Sequence, residues 1–272
     1  MITSVGSVTA LWRFPVKSMG GESLAEVDLE PQGLPGDRAF AIFDVATGRV
    51  ASAKNTDLFP GLLDCKAAFV ESPRPGHALP PARITLPGGP AVTSDSPGVD
   101  RALSAHFGRD VRLVRAGGDV APKIYSAFLA EVGLEPPARG ATFFDLFPVS
   151  VITTSTLARL AEVGPGSRFD ARRFRMNVVV DTPEPGLVEN AWIGRDLGLG
   201  GAARLRVALP DPRCALTTLA QDELPKDAEI LRTMVRHNTI QVGAGGRYPC
   251  AGVYAVVATG GSIRTGDGVT VG

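Results

Sequence analysis

Phe147-Pro148-Val149-Ser150-Val151-Ile152 runs directly into Thr153-Thr154-Ser155-Thr156 and then Leu157, Leu160 and Ala161. Here the apolar spacing changes from every second residue to every third or fourth, with hydroxyl residues at the junction to cap the helix. The stretch therefore predicts a buried strand followed by a short helix. Downstream, further strands are expected at 177–180, 205–209, 252–257 and 269–271, with a helix at 227–237. Upstream, 5–11, 24–29, 39–44, 66–70, 83–86 and 111–114 are short, apolar or alternating, and bounded by Gly, Pro or Asp, as strands are. One helix is expected there, at 98–107, where Val99, Leu103 and Phe107 share a face and Gly108 closes the run. Gly and Pro number 32 and 22 in 272 residues, a density that implies many short elements. The stretch 117–139 carries Gly117-Gly118, Pro122 and Pro136-Pro137 and reads as a connection. The expectation is a mixed α/β, β-rich chain of two barrel-like domains, 1–116 and 117–272, with a few short helices.

Lys plus Arg and Asp plus Glu are both 28, so the formal net charge is zero and there is no global field for a nucleic-acid backbone. No apolar run is long enough to span a membrane as a helix and no export leader is evident, so a cytoplasmic protein with neither nucleic-acid nor membrane partners is expected. Cys65, Cys214 and Cys250 are odd in number and widely spaced, which argues against a disulfide framework or a zinc ribbon. His77, His106 and His237 are equally scattered. Gly198-Leu199-Gly200-Gly201-Ala202-Ala203 fits a dinucleotide fingerprint in letters, but a strand-like segment follows where a helix is needed, so it reads as a turn.

What remains is a set of anion-binding groups and one thiol. Lys17 and Ser18 follow the first strand behind Pro15, and Arg38 follows Asp37 in a turn that by itself suggests a weak local ion pair. Arg172-Arg173-Phe174-Arg175-Met176-Asn177 leads into Val178-Val179-Val180 and reads either as an anion site or as a basic turn capping a buried strand. Leu209-Pro210-Asp211-Pro212-Arg213-Cys214 holds Cys214 in a constrained turn beside Arg213, a neighbour that favours thiolate; the competing reading is an inert buried thiol, which is how Cys65 and Cys250 are read.

In order, these pieces resemble the MOSC proteins, named for the molybdenum cofactor sulfurase C-terminal domain. The resemblance rests on Leu11-Trp12-Arg13-Phe14-Pro15-Val16-Lys17-Ser18, Gly33-Leu34-Pro35-Gly36-Asp37-Arg38, Arg173-Phe174-Arg175-Met176-Asn177, Trp192-Ile193-Gly194, Pro212-Arg213-Cys214-Ala215-Leu216-Thr217-Thr218 and Cys250-Ala251-Gly252-Val253-Tyr254. It implies an N-terminal MOSC β-barrel domain before a MOSC domain, similar to the mitochondrial amidoxime-reducing component and its bacterial relatives. By that resemblance Cys214 ligates molybdenum and is the catalytic position, while Lys17, Ser18, Arg38, Arg175, Asn177 and Arg213 hold the molybdenum cofactor (molybdopterin). Thr153 and Ser155, at a helix N-terminus, are further candidates for its phosphate. The sequence departs from the family at Met176, where proline is usual, and after Leu216, where the acidic continuation is lost. No desulfurase domain is present, so pyridoxal phosphate is not expected. The chain stops at Gly272, so electrons are expected from a separate ferredoxin-like or cytochrome-like protein. The leading expectation is an oxidoreductase acting on small N-hydroxylated molecules, amidoximes or hydroxylamines. Two others stand beside it, a sulfur-transfer protein with a persulfide on Cys214 and a non-catalytic carrier of the cofactor.

Overall fold

The computed structural model describes residues 2–118, 142–144 and 146–272. Its central feature is a closed seven-stranded barrel. The strands are β1 (Thr3–Arg13), β10 (Val149–Thr153), β11 (Val178–Asp181), β12 (Asp196–Leu199), β13 (Ala203–Pro212), β15 (Arg247–Thr259) and β17 (Gly268–Val271). Neighbours run β10-β11-β1-β17-β12-β13-β15, and β15 returns to β10, so no edge is left open. Alternate residues point inward: Val8, Leu11, Val149, Val151, Val178, Val180, Leu205, Val207, Val253 and Ala255 share one buried core.

β10 is buried on both faces, and the reason lies outside the barrel. Its outward Ile152 packs with Leu160 of α2 (Thr154–Val163) and with Ile230 and Met234 of α3 (Glu229–His237). The hydroxyl cap expected for α2 is present, Thr153 Oγ1 accepting from the Thr156 amide at 3.1 Å.

The first strand is therefore a stave of the second half's barrel. Thr3 pairs with Val271 and Leu11 with Val178. Between them Gly6 sits at φ +154°, where an added Cβ would lie 1.9 Å from the Asp181 carbonyl oxygen, so only glycine lets the strand bulge past its neighbour. β2 (Glu22–Leu24) pairs with β1, and β3 (Glu26–Leu29) pairs with β16 (Gly261–Arg264).

The rest of the first half has its own core. β4 (Phe40–Asp44) lies between β5 (Arg49–Val50) and β9 (Val111–Arg115), while β6 (Lys66–Phe69), β7 (Ala82–Thr85) and β8 (Ala91–Thr93) form a second sheet. α1 (Val99–Phe107) buries Val99, Leu103 and Phe107 as its spacing predicts, and Gly108 caps it at φ +60°. β14 (Thr239–Gln241) completes the strands by pairing with β15. The letters 198–203 form the turn between β12 and β13, as read. The expected connection 117–139 lies almost wholly outside the described residues.

Candidate active site

A cleft opens where the two halves meet. From the first half it is lined by Lys17, Ser18, Arg38 and Lys54, and from the second by Phe147, Ser150, Arg175, Asn177, Asp211, Arg213, Cys214 and Tyr254, among others. Its volume, with the side chains as placed, is about 110 Å³. The cations Lys17, Arg38, Lys54, Arg175 and Arg213 face a single lining carboxylate among the described residues, Asp211, which defines an anion site.

Backbone conformation sets the cations in place. Ser18, Arg38 and Arg175 adopt left-handed φ values of 67°, 49° and 54°, an arrangement side chains avoid unless surrounding structure imposes it, and one concentrated at functional sites. The Lys17 amide donates to the Phe40 carbonyl at 2.8 Å and the Arg38 amide to the Phe14 carbonyl at 2.7 Å, which ties the two loops together. Arg38 Nη2 crosses to the second half and donates to the Arg175 carbonyl at 3.0 Å. Lys17 Nζ donates to the Phe143 carbonyl at 2.9 Å, and Arg175 donates to that of Met19. Neutral carbonyl acceptors of this kind are exchanged favourably for phosphate oxygens.

Asp37 is not the surface residue its turn suggested. It is buried, accepts the Phe14 amide at 2.8 Å and pairs with Arg38, so it orients the guanidinium. Asn177 is a strap rather than an open contact. Its Oδ1 accepts the Ser150 amide and hydroxyl, both at 3.1 Å, and its Nδ2 donates to the Trp12 carbonyl at 3.2 Å, binding β10 to β1 beneath the cleft.

Cys214 stands at the end of β13, half-buried. Its carbonyl accepts the Thr217 amide at 3.1 Å and hydroxyl at 3.0 Å. Arg173, wholly buried, braces the same loop by donating to the carbonyls of Leu219 and Pro225 at 3.2 and 2.8 Å. Beside the thiol, Arg213 pairs with buried Asp211 and donates to the Phe174 carbonyl. Burial opposes its charge, but Asp211, Tyr254 and Cys214 outweigh that and raise its pKa. Arg213 Nε is buried without a hydrogen-bond partner among the described residues.

Two residues expected here lie elsewhere. The Thr153 hydroxyl donates to Glu189 at 2.7 Å, and that of Ser155 is engaged by Thr182 at 2.7 Å, so α2's cap is closed on its own neighbours. The sequence reading missed Lys54, Ser150 and Tyr254. Tyr254 carried a signal in the Cys250–Tyr254 block, while Lys54 had none.

Among the described residues no group of three or more His, Cys, Asp or Glu side chains is placed to hold a metal. The Cys214 sulfur is a soft donor of the kind that suits a metal already held by sulfur ligands. With five cations to one carboxylate among the described lining residues, the site fits the anionic phosphate of a molybdenum–pterin cofactor.

The MOSC domain profile matches residues 139–270, and that of the MOSC N-terminal beta barrel domain matches residues 5–95. The chain belongs to the MOSC family. MOSC domains are associated with molybdenum cofactor binding. Solved structures similar to this MOSC protein include the YUAD protein from Bacillus subtilis, 12% identical over 100% of this chain and 97% of that one, TM-score 0.48. Others are a hypothetical protein, 11% identical over 98% and 68%, TM-score 0.40, and YiiM from Geobacillus stearothermophilus, 16% identical over 46% and 54%, TM-score 0.31. No curated protein matches the chain. No helix among the described residues is long and apolar enough to cross a membrane.

Proposed function

We propose that this MOSC protein binds the molybdenum cofactor in the cleft between its halves and reduces N-hydroxylated substrates there, with electrons from a separate donor protein. The observation that carries the reading is the half-buried Cys214 in a cleft lined by Lys17, Arg38, Lys54, Arg175 and Arg213. When bound, the cofactor supplies the two-electron chemistry. The overall reaction balances as R–NHOH + 2 e⁻ + 2 H⁺ → R–NH2 + H2O.

The chain's own residues bind and orient. Lys17, Arg38 and Arg175 would neutralise the cofactor's phosphate, and Arg213 would add its charge beside Cys214. Cys214 would contribute the sulfur ligand, and Arg173 and Thr217 brace its loop. Phe147 and Tyr254, whose rings stack at 5.6 Å, form an apolar wall for the substrate's organic part.

The test is molybdenum per chain in protein purified from a host that makes the cofactor, alongside Cys214→Ser, with oxidation of reduced methyl viologen by benzamidoxime as readout. Near-stoichiometric metal and turnover, both lost in the variant, are expected. Metal-free protein with a one-sulfur mass increment on Cys214 would instead support sulfur transfer.

A further inference from the structure

A second cavity, of about 450 Å³, lies between the halves and is within the size range of small-molecule sites. Of the described residues, Arg175 is the one its lining shares with the cofactor cleft. The first half supplies Trp12, Phe14 and Lys66, and the second Arg172, Gln221 and Asp222. Trp12 and Phe14 stack with centroids 6.5 Å and planes 20° apart, which makes one wall aromatic.

The charges on this lining are matched. Lys66 pairs with Asp222 at 2.7 Å across the two halves, and Glu22 with Arg13 at 2.8 Å. Arg172 is held by Asp170 at 2.8 Å and Glu223 at 2.6 Å. Arg175 donates to the Met19 carbonyl and lies over the Phe14 ring at 4.3 Å. A charged ligand, of either sign, would give up its hydration and have to break one of these contacts to gain a counter-ion. Two polar side chains are uncommitted. The Trp12 indole N–H has no acceptor among the described residues, and the Gln221 side-chain amide has no partner among them. The first is a donor, and the second offers a donor and an acceptor. An uncharged flat ring with an amide edge would therefore find an aromatic surface and both kinds of hydrogen-bond partner.

We infer that this cavity is a second ligand site, separate from the cofactor cleft, for an uncharged planar heterocycle whose ring lies against Trp12 and whose amide edge is met by Trp12 and Gln221. The inference does not depend on molybdenum binding.

Isothermal titration of the whole protein with 2-quinolone tests it. Saturable binding is expected, weakened at least about tenfold with 2-quinolone-4-carboxylate, which adds a charge, or with 2-pyrrolidone, which keeps the amide and lacks the aromatic ring. Trp12→Leu should weaken binding by about tenfold and Gln221→Ala by about fivefold, while Cys214→Ser leaves it unchanged. Gln221 exchanges main-chain hydrogen bonds with Leu224 that alanine keeps, so its variant decides the matter if Trp12→Leu does not fold. The inference is overturned by the absence of saturable binding, by a carboxylated analogue that binds as tightly as 2-quinolone, by binding that Gln221→Ala leaves unchanged, or by binding lost in Cys214→Ser, which would assign the ligand to the cofactor cleft.

Discussion

Arg38 and Arg175 meet over one aromatic ring: their guanidinium carbons lie 4.5 and 4.3 Å from the centroid of Phe14, and Arg38 donates to the Arg175 carbonyl. One residue comes from each half, so the ring and the hydrogen bond make a joint as well as a cation pair. Phosphate in the cleft would relieve the repulsion that the ring now moderates.

Phe14→Ala removes the seat of both guanidinium groups and leaves a cavity in a buried position. A loss of about 3–5 kcal/mol in urea unfolding is expected, together with impaired cofactor retention. A variant as stable as the parent would show that the ring is not the joint described.

Asp211 is 1% exposed and pairs with Arg213. Arg213→Met should cost about 3–5 kcal/mol, because a buried carboxylate loses its guanidinium partner, and the double variant with Asp211→Asn should recover part of that. Chemical denaturation of the three variants gives the coupling directly.

The three thiols should differ sharply toward iodoacetamide. Burial, assisted at Cys65 by Asp64 and at Cys250 by Asp211, pushes both of those thiols up to about 12, whereas Cys214 is half-buried in the cleft. Native protein near neutral pH is expected to take up label at Cys214 alone, read by intact mass and peptide mapping. Labelling of Cys65 or Cys250 at a similar rate would contradict the burial described.

Glu189 is fully buried, and burial raises its carboxyl above its ordinary value against the hydroxyls of Thr156 and Thr153. A raised folded pKa means that the folded state holds the proton longer than the unfolded chain does. Its contribution is complete below the unfolded value near 4.5 and is lost as pH rises toward the folded one. Stability relative to Glu189→Gln should therefore fall by about 1.4 kcal/mol per pH unit across that window. A pH-independent difference between the two proteins would refute the assignment.

Much of this site was legible in the chain because its chemistry depends on side-chain type. Cys214, Lys17 and Arg213 stand beside prolines that mark turns, a weak signal singly that the resemblance to MOSC proteins gathers into one site, and the spacing of 147–152 marks a strand. Backbone conformation was not legible. Nothing in the letters marks Ser18, Arg38 and Arg175 as left-handed, since tertiary contacts impose that conformation on residues that do not prefer it. Thr153 and Ser155 misled for the opposite reason. A helix N-terminus is an anion site only while its donors face solvent, and the hydroxyls here are consumed by Glu189 and Thr182, residues distant in sequence. Tyr254 reaches the cleft through its register opposite Ser150 and Leu209, a property of pairing that no single strand shows.

Because Thr3 pairs with Val271, the barrel joins strands that lie far apart in the sequence. During synthesis β1 must wait for β17, far downstream, before either is fully paired. Such distant pairing makes assembly slow and leaves an apolar ribbon uncovered for the duration. A fragment beginning at residue 117 lacks this stave. The cleft draws its lining from Lys17 to Tyr254, so it forms only after both halves have been made.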